Sequence, residues 1–392
     1  MEPSASLVAA EAADPLAYFP AHLLDEILGR VDLCDAVRTS ALSRAWRGRW
    51  ESVPGLALSF PDGTPPSAIG GVLLLYTAPR VSGFACEVDE ESAYHLDHWL
   101  TALSRRSVQS ISIRAYLEGE RFPLHSSIFS CAHLVSLHLE LYVIPLIPVG
   151  FAGFPVLEEL YLSHVEFQDS DVMEMEAPFQ AIIRRSPLLC VLALDGLYHS
   201  SWDNFGYDLG GFLAGLYQFR ELTFLAPDGY VDIGTLPTFY NLKSLELTTC
   251  FIDINPILVM FSLMRSSPNL EKFKMQIQKP EIVADWDFLN AQWTDDMCAN
   301  LQIVEIISDP IRQWLPISFM KLVLSKASLL RTLSVDVCLG SQDDPLNELL
   351  TCRRASAQAQ VLFEASLASM VTPRGVLTFC HAEVQLERFW NL

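Results

Sequence analysis

Residues 184–196 read RRSPLLCVLALDG, and residues 264–277 read MRSSPNLEKFKMQI. Both run from a basic residue through Ser-Pro into an apolar-x-x-apolar-x-apolar hexad, Leu189/Leu192/Leu194 in the first and Leu270/Phe273/Met275 in the second. The last two apolar positions of a hexad lie two apart, so in a strand they point to one face. Working outward, the same hexad recurs at Val81/Phe84/Cys86, Val108/Ile111/Ile113, Leu134/Leu137/Leu139 and Leu157/Leu160/Leu162. It continues at Phe219/Leu222/Phe224, Leu242/Leu245/Leu247, Leu301/Val304/Ile306 and Leu330/Leu333/Val335, with a weaker copy at Val53/Leu56/Leu58. Successive starts from Val81 differ by 27, 26, 23, 32, 30, 23, 28, 31 and 29 residues. A unit that short cannot cover its own apolar face, and stacking copies buries it. The pattern predicts short strands alternating with helix-like stretches such as Asp169 to Arg185, whose Pro178, Phe179, Ile182 and Ile183 form an outer layer. Side chains between the inward positions, His138, Tyr161, Ala193, Thr223 and Glu246, then form a ladder on the concave side, the default recognition surface of such an array.

Composition narrows the function. The 392 residues are 51% hydrophobic and 19% charged, a globular balance. Lys+Arg of 26 against Asp+Glu of 47 gives a net charge of −21. A body that acidic repels phosphate backbones and anionic bilayers, so neither nucleic acid nor membrane is expected as a partner. The nine cysteines stand singly with no C-x-x-C, which reads as reduced thiols rather than a disulfide framework or zinc site. The first twenty residues carry acids, and no Lys or Arg precedes Arg30, unlike a secretory signal. No apolar run is long enough to span a bilayer. The expectation is a soluble protein of the cytoplasm, the nucleus or both, with residues 1–13 disordered.

The N-terminal segment has its own pattern. Pro20 opens a helix in which Leu23, Leu24, Ile27, Leu28 and Val31 share an apolar face, with Asp25, Glu26 and Arg30 outside. Asp32 to Asp35 breaks the pattern, and Ala36 to Leu42 offers a second short helix. Ser43 can cap a third, with Trp46 and Trp50 four apart on one face, before Pro54-Gly55 ends it. Three short helices in about 40 residues bury too little surface to stand alone, so their apolar remainder needs cover.

The segment FPAHLLDEILGRVDLCDAVRTSALSRAWRGRWESVPGL resembles the F-box of the large plant F-box families. The matching elements are Phe19-Pro20, the Leu23/Leu24/Ile27/Leu28 helix, Asp35 to Ser40, and Leu42-Ser43-Arg44-x-Trp46-Arg47 followed by Trp50. Phe19 stands where Leu is usual. The hexads and their interval are those of irregular leucine-rich repeats, and residues 300–310 and 319–337 resemble the FBD domain that follows such repeats in this family. The chain therefore reads as an α/β protein: a three-helix F-box at 14–56, a leucine-rich-repeat solenoid at 57–295, FBD-like final repeats at 296–340, and a C-terminal cap and tail at 341–392. Residues Cys352 to Phe363 read as an amphipathic helix. The resemblance implies docking on a Skp-type adaptor, and through it a cullin, by Phe19, Pro20, Leu23, Leu24, Ile27, Leu28, Val37, Leu42 and Trp46, with Trp50 packing toward the first repeat as an alternative.

Motifs that carry chemistry are sparse. No G-x-S-x-G, Walker A, G-x-G-x-x-G or H-E-x-x-H occurs. Ser318-x-x-Lys321 matches S-x-x-K by letter alone, and His95/Asp97/His98 lacks a third metal ligand. The pairs Asp169/Asp171, Asp285/Asp287, Asp295/Asp296 and Asp343/Asp344 suit inter-repeat turns. Trp202, Tyr207 and Tyr230 suit either binding anchors or repeat plugs. No catalytic residue, cofactor or metal site is expected. Three functions remain: a substrate receptor of an SCF-type ubiquitin ligase, a scaffold that binds a partner without a cullin, and, for want of basic residues on the strand faces, least of all a small-molecule sensor.

Overall fold

The computed structural model describes residues 19–43, 46–116, 121–168, 178–195, 207–208, 218–225, 231–232, 236–250, 254–278, 286–294, 297–308, 317–336, 349 and 351–364. The chain divides into two compact units, Met1–Leu157 and Glu158–Leu392.

The first unit opens with α1 (Ala21–Leu28), directly behind Pro20. Helix α2 (Leu33–Arg38) begins because the Asp32 carboxylate accepts the Asp35 amide at 2.8 Å. The segment that breaks the apolar pattern is thus a helix cap, and the second helix starts three residues ahead of the expected Ala36. A 3-10 turn at Thr39–Ala41 continues it. The third element differs from expectation. Gly48 has φ 70°, a left-handed backbone no α-helix continues through, and only a 3-10 turn at Arg49–Ser52 follows it. Trp46 and Trp50 are both buried nonetheless. The unit then lays down β1 (Leu56–Ser59), β2 (Val81–Val88) and β3 (Ser110–Ala115), a short β4 (Phe122–Pro123), β5 (Ser136–Glu140) and β6 (Tyr142–Ile144). Strands β1, β2, β3 and β5 pair in parallel in that order, and β4 pairs with β6 beside them. The crossovers are α3 (Pro66–Leu75), α4 (Glu90–Ser104) and a 3-10 turn at Ser126–Ser130. Helix α4 is capped by Asp89, which accepts the Ser92 amide at 2.8 Å, with Glu90 and Glu91 in the first turn where the helix dipole favours anions.

The second unit is a parallel ladder of eight strands: β7 (Glu159–Ser163), β9 (Val191–Asp195), β11 (Glu221–Leu225), β13 (Ser244–Cys250), β14 (Lys272–Gln278), β15 (Ile303–Ser308), β16 (Thr332–Asp336) and β17 (Gln360–Glu364). Three two-residue strands, β8 (Glu166–Phe167), β10 (Tyr207–Asp208) and β12 (Val231–Asp232), lie outside that ladder. Helices α5 (Pro178–Arg184), α6 (Asn255–Arg265), α7 (Trp286–Gln292) and α8 (Ile317–Lys326) cross over between strands.

Every apolar position of the ten hexads, and of the weaker copy at Val53/Leu56/Leu58, is buried. Registers align them rung on rung: Leu192 pairs with Leu160 and Leu222, Leu245 with Phe273, Val304 with Leu333. Each such side chain contributes about 1.5–3 kcal/mol by leaving water. Phe319 on α8 stacks edge-on against Phe261 of α6 and Phe273 of β14, joining helix layer to sheet. The Ser-Pro phrases also find their reason. Buried Ser186 and Ser267 donate to the Ile182 and Leu263 carbonyls at 2.7 Å, closing α5 and α6 before proline stops them. A polar ladder stitches the turns below: Gln218 donates to Ser186, Asn269 to Tyr240 and Asn300 to Pro268, each to a backbone carbonyl one repeat back.

Two expectations change. Of Asp169 to Arg185, helix is present at Pro178–Arg184, and residues 169–177 lie outside the described ones. Residues 360–364 are a strand rather than part of an amphipathic helix: Leu333 and Val335 offer the last open rung, and Val361 and Phe363 pair with them. Alternation in Gln-Val-Leu-Phe-Glu wins over the alanines before it.

Candidate protein-docking site

Helix α1 carries two apolar stripes. Leu24 and Leu28 turn inward and are buried. Phe19, Leu23, Ile27 and Val31, each four residues from the next, are 48%, 38%, 50% and 36% exposed, and Leu42 is 62% exposed. Leu23 and Ile27, four apart, lie on one face of α1, and exposed Phe19 and Val31 flank its two ends. Of the residues expected to dock a partner, Phe19, Pro20, Leu23, Ile27 and Leu42 are exposed and Val37 is half-buried, whereas Leu24, Leu28 and Trp46 are core. Those three side chains are buried within the chain itself. Val31, not among the residues expected to dock, is exposed too. The spacing of four from Phe19 to Val31 was the signal for it.

Arg49 fixes this arrangement. Its guanidinium donates at 2.7 Å to the Ala21 carbonyl and at 2.7 Å to the Asp25 carboxylate, tying the third element to α1. The junction to the first repeat is equally closed. The Glu51 carbonyl accepts the amides of Thr77 and Ala78 and the Thr77 hydroxyl, at 2.6, 3.2 and 3.0 Å. The buried Tyr76 hydroxyl sits 2.6 Å from the Val53 carbonyl and 2.9 Å from that of Arg80, and accepts the Leu56 amide at 3.3 Å. Burial pushes that phenol above its ordinary range. From α4's end, Arg106 donates to the carbonyls of Tyr76, Leu73 and Ala102. Neither Tyr76 nor Arg106 shows a sequence signal, because their partners are backbone atoms.

The open sheet faces are the second surface. In the second unit one rung of the ladder reads Tyr161, Ala193, Thr223, Glu246, Lys274, Glu305, Ser334 and Leu362 across successive strands. The expected residues from Tyr161 to Glu246 do share this row. Its lysines are matched by acids: Lys274 lies 2.5 Å from Glu246, and Lys272 lies 2.8 Å from Glu305. In the first unit His138 pairs in register with Ser112, and burial holds its imidazole below the usual range. Arg114 meets Glu140 at 2.7 Å nearby.

His95 stacks on Trp99, and Asp97 contacts His125 at 2.6 Å. No group of three or more His, Cys, Asp or Glu side chains there could hold a metal ion. Ser318 and Lys321 are neighbours on α8. Asp287 is exposed on α7, while Asp169, Asp171, Asp285, Asp295, Asp296, Asp343, Asp344, Trp202, Tyr230 and the Tyr207 side chain lie outside the described residues. Burial pushes the thiols of Cys86, Cys131 and Cys298 up to about 12, far from a reactive thiolate. No described helix is long and apolar enough to cross a membrane.

Two family models match parts of the chain. The F-box domain model matches residues 17–56, the segment that contains α1. A model described as FBD-associated F-box protein At5g56370, LRR repeats, matches residues 96–202. An F-box/FBD/LRR-repeat protein of Arabidopsis thaliana is 27% identical over 417 residues, 90% of this chain and 99% of its own. A second from the same plant is 30% identical over 187 residues, which is 46% of this chain but 40% of the relative. An internalin from Listeria monocytogenes superposes over 70% of this chain and 69% of its own at a TM-score of 0.37 and 16% identity, too distant to argue from. The chain thus carries a segment matching the F-box model ahead of parallel-strand repeats, and is similar along nearly its whole length to a plant F-box/FBD/LRR-repeat protein.

Proposed function

We propose that this chain, an F-box carrier joined to parallel-strand repeats, is the substrate-recognition subunit of an SCF-type ubiquitin ligase. The observation that carries the reading is the exposed apolar pair Leu23 and Ile27 on α1, with exposed Phe19 and Val31 beyond its two ends, beside Leu24 and Leu28, which are already core. Apolar side chains so grouped and left in water mark a contact surface, and the F-box match at 17–56 supports a Skp-type adaptor as its occupant. Phe19, Pro20, Leu23, Ile27 and Leu42 make the contact, and Leu24, Leu28, Val37 and Trp46 hold its shape. The open sheet faces hold the target protein. The receptor forms no covalent bond itself: by holding the target, it raises the effective concentration of a target lysine beside the charged ubiquitin carrier. It works in the cytoplasm, the nucleus or both, in keeping with cysteines that stand singly with no C-x-x-C.

Capture of adaptor and cullin tests this. The double variant Leu23→Asp/Ile27→Asp changes two exposed side chains, so its circular dichroism and melting should match those of the unmutated chain while adaptor capture is lost. Capture unchanged by the pair would remove the reading. Adaptor capture without cullin would favour a scaffold that binds a partner without promoting ubiquitination.

A further inference from the structure

The distribution of cations shows a selection that folding does not explain. The 26 basic residues are 20 arginines and six lysines, and the lysines are Lys243, Lys272, Lys274, Lys279, Lys321 and Lys326. No lysine occurs in residues 1–242, where every cationic side chain other than histidine is arginine. The whole first unit, with the F-box segment and β1–β6, therefore displays no lysine amine.

Geometry accounts for some of these arginines and not for others. Arg106 uses all three nitrogens of its guanidinium on three backbone carbonyls, which an ammonium on a flexible stem would not reproduce. Arg30 and Arg38 are highly exposed and make single pairs with Glu26 and Asp35 one helical turn away, a task lysine performs equally well. Arg47, Arg80 and Arg105 are exposed as well. Stability sets no preference for arginine at these five positions. What separates the two side chains there is chemistry: an arginine stays protonated, whereas a lysine amine can lose its proton and attack.

We infer that the F-box unit is kept free of ubiquitin-acceptor amines, so that the ligase's carrier spends its charge on the bound target rather than on the receptor. This rests on the ligase reading above. In the step avoided, a deprotonated Lys Nζ attacks the thioester carbonyl joining ubiquitin to its carrier. The new C–N bond replaces the C–S bond, the carrier's thiolate leaves, and the nitrogen's second proton goes to solvent. A receptor lysine held permanently within the carrier's reach would compete at high effective concentration with every target. The lysines that do occur in the ladder are engaged: Lys243 with Glu271, Lys272 with Glu305 and Lys274 with Glu246. Lys326 is exposed at the end of α8.

The test uses the full chain reconstituted with adaptor, cullin–RING core, carrier enzymes and ubiquitin, with self-modification mapped by mass spectrometry of tryptic remnants. Arg80→Lys and Arg105→Lys lie outside the F-box and leave its exposed apolar residues untouched. Each should bind adaptor normally, gain a ubiquitin remnant at the new lysine and raise total self-modification several-fold. Arg80→Gln and Arg105→Gln should add no remnant. Variants that bind adaptor and cullin normally yet are modified no more than the unmutated chain overturn the inference alone. Failure of the unmutated chain to capture adaptor overturns the ligase reading and this inference with it.

Discussion

Ile27 and Leu28 are adjacent in sequence and opposite in consequence. Leu28 is fully buried and Ile27 is half-exposed, so truncating each to alanine separates folding from docking. Leu28→Ala should cost about 2–5 kcal/mol in urea unfolding of the full chain, by lost burial plus a cavity. Ile27→Ala should stay within about 0.5 kcal/mol and weaken adaptor binding instead. A titrating residue offers another handle. Burial is the main cause that holds His138 below the ordinary histidine range, with Arg114 pushing the same way and Glu140 opposing. The neutral imidazole is thus favoured in the fold, so its contribution is present above the unfolded value of about 6.5. It is lost as pH falls from there through the folded value, because the unfolded chain takes up the proton first. Urea midpoints between pH 7.5 and 5.5 should decline less in His138→Asn than in the unmutated chain.

At the scale of elements, strands read more easily than the pieces between them. A hexad such as Leu270/Phe273/Met275 states its own strand and face, because Phe273 and Met275, two apart, share one face of β14, while Leu270 is buried in the turn just before it. The third F-box helix misled because Trp46 and Trp50 have helical spacing, while the left-handed Gly48 between them cannot be told from any other glycine in a sequence. Residues 360–364 misled in the opposite sense: their strand exists because β16 offers an unpaired edge, a tertiary fact. The α1 helix was legible, yet which of its apolar residues face out depended on a tertiary tie, Arg49 to Ala21 and Asp25. The asparagine ladder makes a prediction at this scale. Asn300 donates to Pro268 at 3.2 Å and lies 3.3 Å from the Asn269 side-chain oxygen, so Asn300→Leu should lower stability by about 1–3 kcal/mol through an orphaned turn carbonyl. Hydrogen exchange should quicken around residues 268–270 before it does in β16.

At the scale of the whole molecule, the bonds at Glu51, Tyr76 and Arg106 leave no linker between the F-box and its first repeat. A flexible joint of n residues would scatter its ends over about 5–6 Å × √n; here the count of free residues is nil, since Val53 and Leu56 already belong to the first hexad. For anyone grafting this F-box onto a foreign array, the natural cut is therefore not at residue 56, where the recognisable motif ends. Severing there would strand the Glu51 and Val53 carbonyls and discard the phenol and guanidinium that aim the F-box. A graft carried through Arg106 takes its own compass with it.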